Sequence, residues 1–246
     1  MADAAVAHRP WPLPRRPWIM AMEWHELLFM HWRVAPAQLQ PLLPPGLLLD
    51  TYDGSAWIAI VPFRMAGVRL RGLPPLPGLA AFPELNVRTY VRIGDRPGVW
   101  FFSLDAANRV AVEAARLAFH LNYIYARMAC DTASDTVLYR SRRVGTRAGA
   151  FRAHYRPTGA VTWADTGSLE HWLTERYCLY AADRRGVIRR GEIHHAPWPL
   201  QPAEALIEIN SMTAPLGLTL QGAPLLHYAQ RLDVVAWLPE RVDAKI

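Results

Sequence analysis

Lysine is nearly absent from this 246-residue chain: its basic residues are arginines, except for Lys245. Imine-forming catalysis needs a buried amine whose pKa is lowered by desolvation or by a second cation. A guanidinium stays protonated and is a poor nucleophile, so arginine cannot substitute. Lys245 is the penultimate residue, where chains tend to be exposed and frayed, and Schiff-base chemistry is therefore not expected. Cysteine is almost as scarce. Two residues cannot build a disulfide framework, which makes a reducing, cytoplasmic setting the default. No apolar run approaches the roughly 18 to 20 residues of a membrane-spanning helix, and no membrane partner is expected. The chain has no Gly-x-Ser-x-Gly elbow and no phosphate-cradling glycine loop, so triad hydrolysis and nucleotide binding lack support. No cofactor and no resident metal are expected.

What is present is apolar and arginine-rich. Hydrophobic residues make up 52% of the chain and charged residues 20%, with a net charge of +6. That apolar fraction is enough to bury a core and excludes a disordered chain. The arginines run from Arg9 to Arg241 and often alternate with apolar neighbours. Nucleic-acid binders gather their cations on one stripe, so nucleic-acid binding is a minor idea, with Arg140, Arg142, Arg152 and His154 as its candidate face. Residues 1–17 hold four prolines and no secretory apolar core; they are expected to form a flexible or surface-hugging arm. Residues 18–246 are expected to form a single domain.

Strand patterns dominate. From Glu23 the chain alternates, with Trp24, Glu26, Leu28, Met30 and Trp32 on one face and His25, Leu27, Phe29, His31 and Arg33 on the other. Both faces are largely apolar, as in a central strand covered on each side. Pro36 opens a short helix that stops at Pro44-Pro45-Gly46, and Asp53-Gly54 signals a hairpin turn between 47–52 and 55–63. Residues 71–83 carry four prolines and two glycines, too much punctuation for a regular element; a loop this long is often a lid or a binding loop. Strands are expected at 84–93 and 99–104. The one long helix follows, with Asp105 as N-cap candidate, Asn108 also read as a capping residue, and Val110, Ala114, Leu117 and Leu121 at helical spacing. Further strands are expected at 123–130, 136–144, 150–156, 176–182, 187–195, 205–209 and 225–238, with a short helix at 168–174. Many strands around one good helix indicate a mainly β, mainly antiparallel body.

The blocks Trp24-His25, Leu43-Pro44-Pro45-Gly46, Glu84-Leu85-Asn86-Val87-Arg88-Thr89-Tyr90-Val91, Phe101-Phe102-Ser103-Leu104-Asp105 and Gly191-Glu192-Ile193-His194-His195 follow one another in a familiar order. Over about residues 18 to 238 the chain resembles the YqjF-like family of bacterial proteins, a domain of unknown function grouped by fold with the acetoacetate decarboxylase-like superfamily. The resemblance implies a closed or bent antiparallel β-barrel with an interior cavity, which holds the ligand site in the decarboxylases. It implies no particular reaction. Glu84 resembles the decarboxylase glutamate that begins a cavity-lining strand. The segment nearest to the decarboxylases' Schiff-base lysine is Phe119-His120-Leu121-Asn122-Tyr123, which has none.

Two residue clusters carry candidate chemistry. Glu84, Asn86, Arg88 and Tyr90 share one face of their strand. Pointed into a cavity, they would offer an acid, an amide, a guanidinium fork for a carboxylate and a phenol; pointed outward, they would be an ordinary solvated face. In the second cluster, Glu192 and His194 face one way and His195 the other, with His25 or His31 as partners from another strand. Metal binding there is the minor reading, since buried histidines more often satisfy carbonyls or carboxylates. The catalytic candidates are thus Glu84, Arg88, Tyr123 and His194, and the ligand-binding candidates Asn86, Tyr90, Glu192 and His25. The expected partner is a small carboxylate- or carbonyl-bearing ligand. Lyase-like or isomerising turnover and non-catalytic binding or sensing both stay open, as does an oligomer.

Overall fold

We describe a computed structural model of the chain covering residues 6–145, 148–183 and 185–242; Lys245 lies outside these described residues. The elements in chain order are β1 (Met20–Val34), α1 (Pro36–Leu39), β2 (Leu48–Leu49), β3 (Ala56–Leu70), β4 (Phe82–Ile93), β5 (Arg96–Ala106), α2 (Arg109–Phe119), β6 (Tyr123–Ala133), β7 (Thr136–Arg143) and β8 (Ala150–Pro157). Then come α3 (Leu169–Thr174), β9 (Cys178–Ala182), β10 (Ile188–His194), β11 (Gln201–Asn210), β12 (Leu225–Ala236) and β13 (Glu240–Arg241). No helix among the described residues is long and apolar enough to cross a membrane.

The strands form one ring-like sheet. From β5 it runs through β6, β7, β8, β11, β12, β1 and β3 to β4, which pairs with β5 again. A shorter circuit leaves β5 through β9 and β10 and rejoins β12. Most pairings are antiparallel; β5 pairs parallel with β6 and with β9. Strands β1, β3 and β4 belong to both circuits, so both their faces are covered. One face packs Leu28, Met30, Leu85 and Val87 with Tyr139, Phe151 and Tyr155. The other packs Leu27, Phe29, Val61 and Phe63 with Leu104, Tyr123 and Trp198.

The alternation expected along β1 breaks at Glu26, whose φ of 49° is left-handed. One extra β1 residue is accommodated against β3 between His25 and Met30, a β-bulge that shifts the phase of the strand. Trp24 therefore packs with Leu27 and Phe29 rather than with Leu28 and Met30. The bulge is tied down from both sides. The Arg64 fork donates two 2.9 Å bonds to the Glu26 carboxylate, and the Tyr155 hydroxyl donates to the Glu26 carbonyl at 2.7 Å.

Other expectations are corrected locally. The Asp53-Gly54 turn forms with φ of 48° and 70°, as a two-residue turn with both central residues left-handed requires. It closes only a Tyr52–Ser55 bridge, because Leu48 and Leu49 pair with β4 instead of β3. Asn108, not Asp105, caps α2, its Oδ1 accepting from Ala111 N at 3.1 Å. Asp105, the penultimate residue of β5, is wholly buried against Arg143, with Oδ2 2.8 Å from Nε. On α2 the fully buried side chain is Val112, while Val110 and Leu117 are exposed. The N-terminal arm is docked where it is described: Arg9 and Trp11 are buried, and both donate to Glu192 Oε2. An arginine and an indole with one shared acceptor hold that segment against β10.

Candidate active site

The shorter circuit of strands, closed over by α2 and residues 70–79, encloses a cavity of about 420 Å³. Its wall is mostly apolar, with Met22, Phe63, Met65, Phe82, Phe101 and Trp198 among the lining residues. Polar groups gather at its buried end. Phe82, Glu84, Asn86 and Arg88 recur every second residue along β4 and all face the cavity, joined by Tyr123, Thr174, Arg176 and His195. The opposite face of β4 sends Leu85, Val87 and Val91 into the other core, so the period-2 alternation fixes which chemistry points inward.

Glu84 is 2% exposed. Burial lifts its carboxyl pKa to about 8, against the opposing effect of hydrogen bonds from Tyr123 and Asn86; nearby Asp105 lifts it further. The Tyr123 hydroxyl donates to Glu84 Oε2 at 3.1 Å, and the phenol is itself held well above its usual range by burial and by Glu84. At neutral pH the pair therefore presents a neutral carboxylic acid beside a neutral phenol.

Arg88 is also buried, and among the described residues no carboxylate pairs with it. Its guanidinium donates to the Leu173 carbonyl at 3.3 Å and to the Tyr90 hydroxyl at 3.5 Å, lies 5.2 Å from the Phe29 ring centroid, and leaves Nε without a partner. Arg176 differs: Asp50 accepts from it at 2.6 Å and the Trp172 carbonyl at 2.6 Å, while Nη2 is left unpaired. Asn86 Oδ1, Trp24 Nε1 and Trp198 Nε1 are likewise buried without hydrogen bonds. His195 is held to about 4 by burial, in spite of its contacts to the Ala196 and Arg176 carbonyls, and is neutral.

The structure thus brings Glu84, Asn86, Arg88 and Tyr123 to one cavity. Tyr90 lies past its end, holding His31 Nε2 at 2.7 Å and packed on Trp172. Glu192, His194 and His25 do not line it. The residues of the other parity, Ile193 on β10 and His195 just past its end, face the cavity. Glu192 turns away into the cluster of Arg9, Arg96 and Arg190. His194 stacks on His8, and His25 pairs with Glu23 at 2.9 Å. No group of three His, Cys, Asp or Glu side chains among the described residues is placed to hold a metal ion. Arg176 and His195 are cavity residues that the candidate set omits. The parity of Glu192 and His194 already put His195 on the opposite side, whereas Arg176 sits between a helix and a strand with no periodicity to mark it.

Several solved structures share this fold. An acetoacetate decarboxylase-like enzyme from Sphingomonas wittichii RW1 superposes with a TM-score of 0.66 at 16% identity, over 96% of this chain and 98% of that one. The enduracididine biosynthesis enzyme MppR, complexed with the condensation product of pyruvate and imidazole 4-carboxaldehyde, superposes with 0.67 at 11% identity, over 98% and 94%. Acetoacetate decarboxylase from Legionella pneumophila gives 0.62 at 12% identity, over 98% and 95%. In sequence, the chain is 48% identical over 221 residues to the uncharacterized protein YqjF of Bacillus subtilis (strain 168), covering 89% of this chain and 91% of the relative. Residues 21–233 match the family DUF2071, described as an uncharacterized conserved protein. The chain belongs to that family, and its fold is that of the acetoacetate decarboxylase-like proteins.

Proposed function

We propose that the cavity binds a small organic acid, its carboxylate on Arg88 and its carbonyl beside the protonated Glu84. The observation that carries this reading is a buried cation with no carboxylate of its own next to an acid that burial keeps neutral. Leaving a charge inside a protein unpaired is strongly unfavourable, and a planar carboxylate matches the free edge of a guanidinium. Asn86 Oδ1 supplies an acceptor for a ligand hydroxyl or amide. The apolar wall with few convergent polar groups is the usual make-up of a small-molecule site. MppR has been captured with pyruvate, a ligand of the same class.

Any turnover is lyase-like or isomerising and runs by proton transfer: Glu84 gives its proton to the ligand and recovers one, with Tyr123 holding the carboxyl in place. It runs without an imine, because residues 6–242 contain no lysine. That same lack favours a second reading, in which the fold is a binding or sensing module without turnover. The two cysteines, half-buried Cys130 and buried Cys178, are unpaired, in keeping with a cytoplasmic setting.

The test combines two readouts on one panel of 2-oxo and 3-oxo acids. Saturable thermal stabilisation with product formation supports the enzyme; stabilisation without product supports the binding module. A borohydride-trapped adduct would overturn the imine-free mechanism. Absence of any stabilisation across the panel would overturn the site.

A further inference from the structure

We infer that the ligand is an amphipathic carboxylic acid, with its head at Arg88 and an apolar tail running out between residues 70–79 and α2. This rests on the small-acid reading of the site and adds the tail. The cavity is graded along its length. Its polar groups are sealed in, with Glu84 2% and Arg88 8% exposed. At the other end the lining turns to Leu70, Leu73, Pro74, Leu76, Leu79 and Val110, beside Arg69, whose guanidinium donates to the Gly67 carbonyl at 3.1 Å. Leu73, Leu76 and Val110 are more than half exposed. Large side chains of this kind, gathered at the mouth of a cavity rather than scattered, mark a binding surface.

The two sides of that mouth are fixed to each other. Asn108, already the cap of α2, donates through Nδ2 to the Gly78 carbonyl at 3.0 Å. The proline-rich segment is closed on itself by Leu79 N and Ala80 N, both donating to the Leu76 carbonyl, and Val68 N donates to the Ala80 carbonyl. A preformed slot of this kind spares the ligand the cost of ordering a loop. Opposite it stand Ala111, Ala114, Ala115 and Ala118, small side chains that leave the room a tail would take. Met20, Met22 and Met65 complete the wall, and thioether side chains adapt to tails of varied shape. A ligand of three or four carbons would leave this apolar length empty, and the excess of apolar wall over polar floor goes unused.

The experiment is a titration of the full chain with acetate, butyrate, hexanoate, octanoate and decanoate, read by calorimetry. Each methylene buried in the slot should tighten binding roughly four-fold until the tail clears the mouth. Leu73→Asp with Leu76→Asp, both at exposed positions, should lower the decanoate-to-butyrate affinity ratio at least ten-fold. Ala114→Trp, which fills the slot from the helix side, should lower the same ratio if the loop variant does not fold. Butyrate binding that requires Arg88 but gains nothing from longer chains would overturn the tail and leave the small-acid reading standing. Decanoate binding that survives Arg88→Met, or no binding by any acid, would overturn both.

Discussion

Tyr123 Oη lies 3.1 Å from Glu84 Oε2, a contact that β6 makes with β4 across the closure of the ring. The donor stabilises the charged carboxylate, yet burial outweighs it and Glu84 stays protonated to about pH 8. The proposed site chemistry and the fold's stability both depend on this one acid.

Glu84→Gln should stabilise the protein in a pH-dependent way. Between about pH 4.5 and 8 the native state keeps the Glu84 proton while the unfolded chain has lost it. Wild-type stability from this group therefore falls as pH rises through that window. Glutamine has no proton to lose. Its advantage should be near zero at pH 4 and grow to a few kcal/mol, about 4 at most, by pH 8. Denaturant melts of both proteins across this range check it, and a difference independent of pH would contradict the assignment.

Tyr123→Phe removes a bond that lowers the Glu84 pKa, so the carboxyl should titrate above 8. The loss in stability should be about 1 kcal/mol, the size of one buried hydrogen bond. A carbon-13 NMR titration of the Glu84 carboxyl reads the shift directly; an unchanged midpoint would show that the phenol does not act on the acid.

Without ligand, Arg88→Met should be as stable as wild type or more so by ~1 kcal/mol, because it replaces a buried cation lacking an acid partner with an apolar side chain of similar length. A loss of several kcal/mol in thermal or urea unfolding would instead make Arg88 a structural residue.

The buried Asp105–Arg143 pair should behave in the opposite way. Arg143→Met leaves Asp105, already raised by burial, without its partner, and should cost about 3–5 kcal/mol. The loss should shrink at low pH, where Asp105 is protonated. Neither residue lines the cavity, so acid binding by the folded variant should persist; urea melts at pH 4 and 7 with a parallel binding assay separate the two effects.

Along β4 the period-2 alternation put Glu84, Asn86 and Arg88 on one shared face, but whether that face met a cavity or solvent was not legible, because it depends on how β4 packs between two circuits of strands. Around β1 the same rule misled, since a single left-handed residue, Glu26, reverses the phase and nothing in the residue type announces it. Asp105 looked like a helix cap from its neighbours alone; its true partner, Arg143, is 38 residues away. Arg176 reaches the cavity from a short connection between α3 and β9, where no repeat exists to be read. The docked arm depends on Glu192, 183 residues from Arg9. Local patterns thus revealed strands and faces, while long-range ion pairs and the bulge came from tertiary packing.

The proposed seat of a ligand carboxylate on Arg88 is tested most directly by calorimetric titration of one acid that binds wild type into the Arg88→Met variant. The account predicts an affinity loss of about a hundred-fold, the worth of charge-assisted hydrogen bonds, with no loss of unfolding temperature in the absence of ligand. Equal affinity in the two proteins would contradict it.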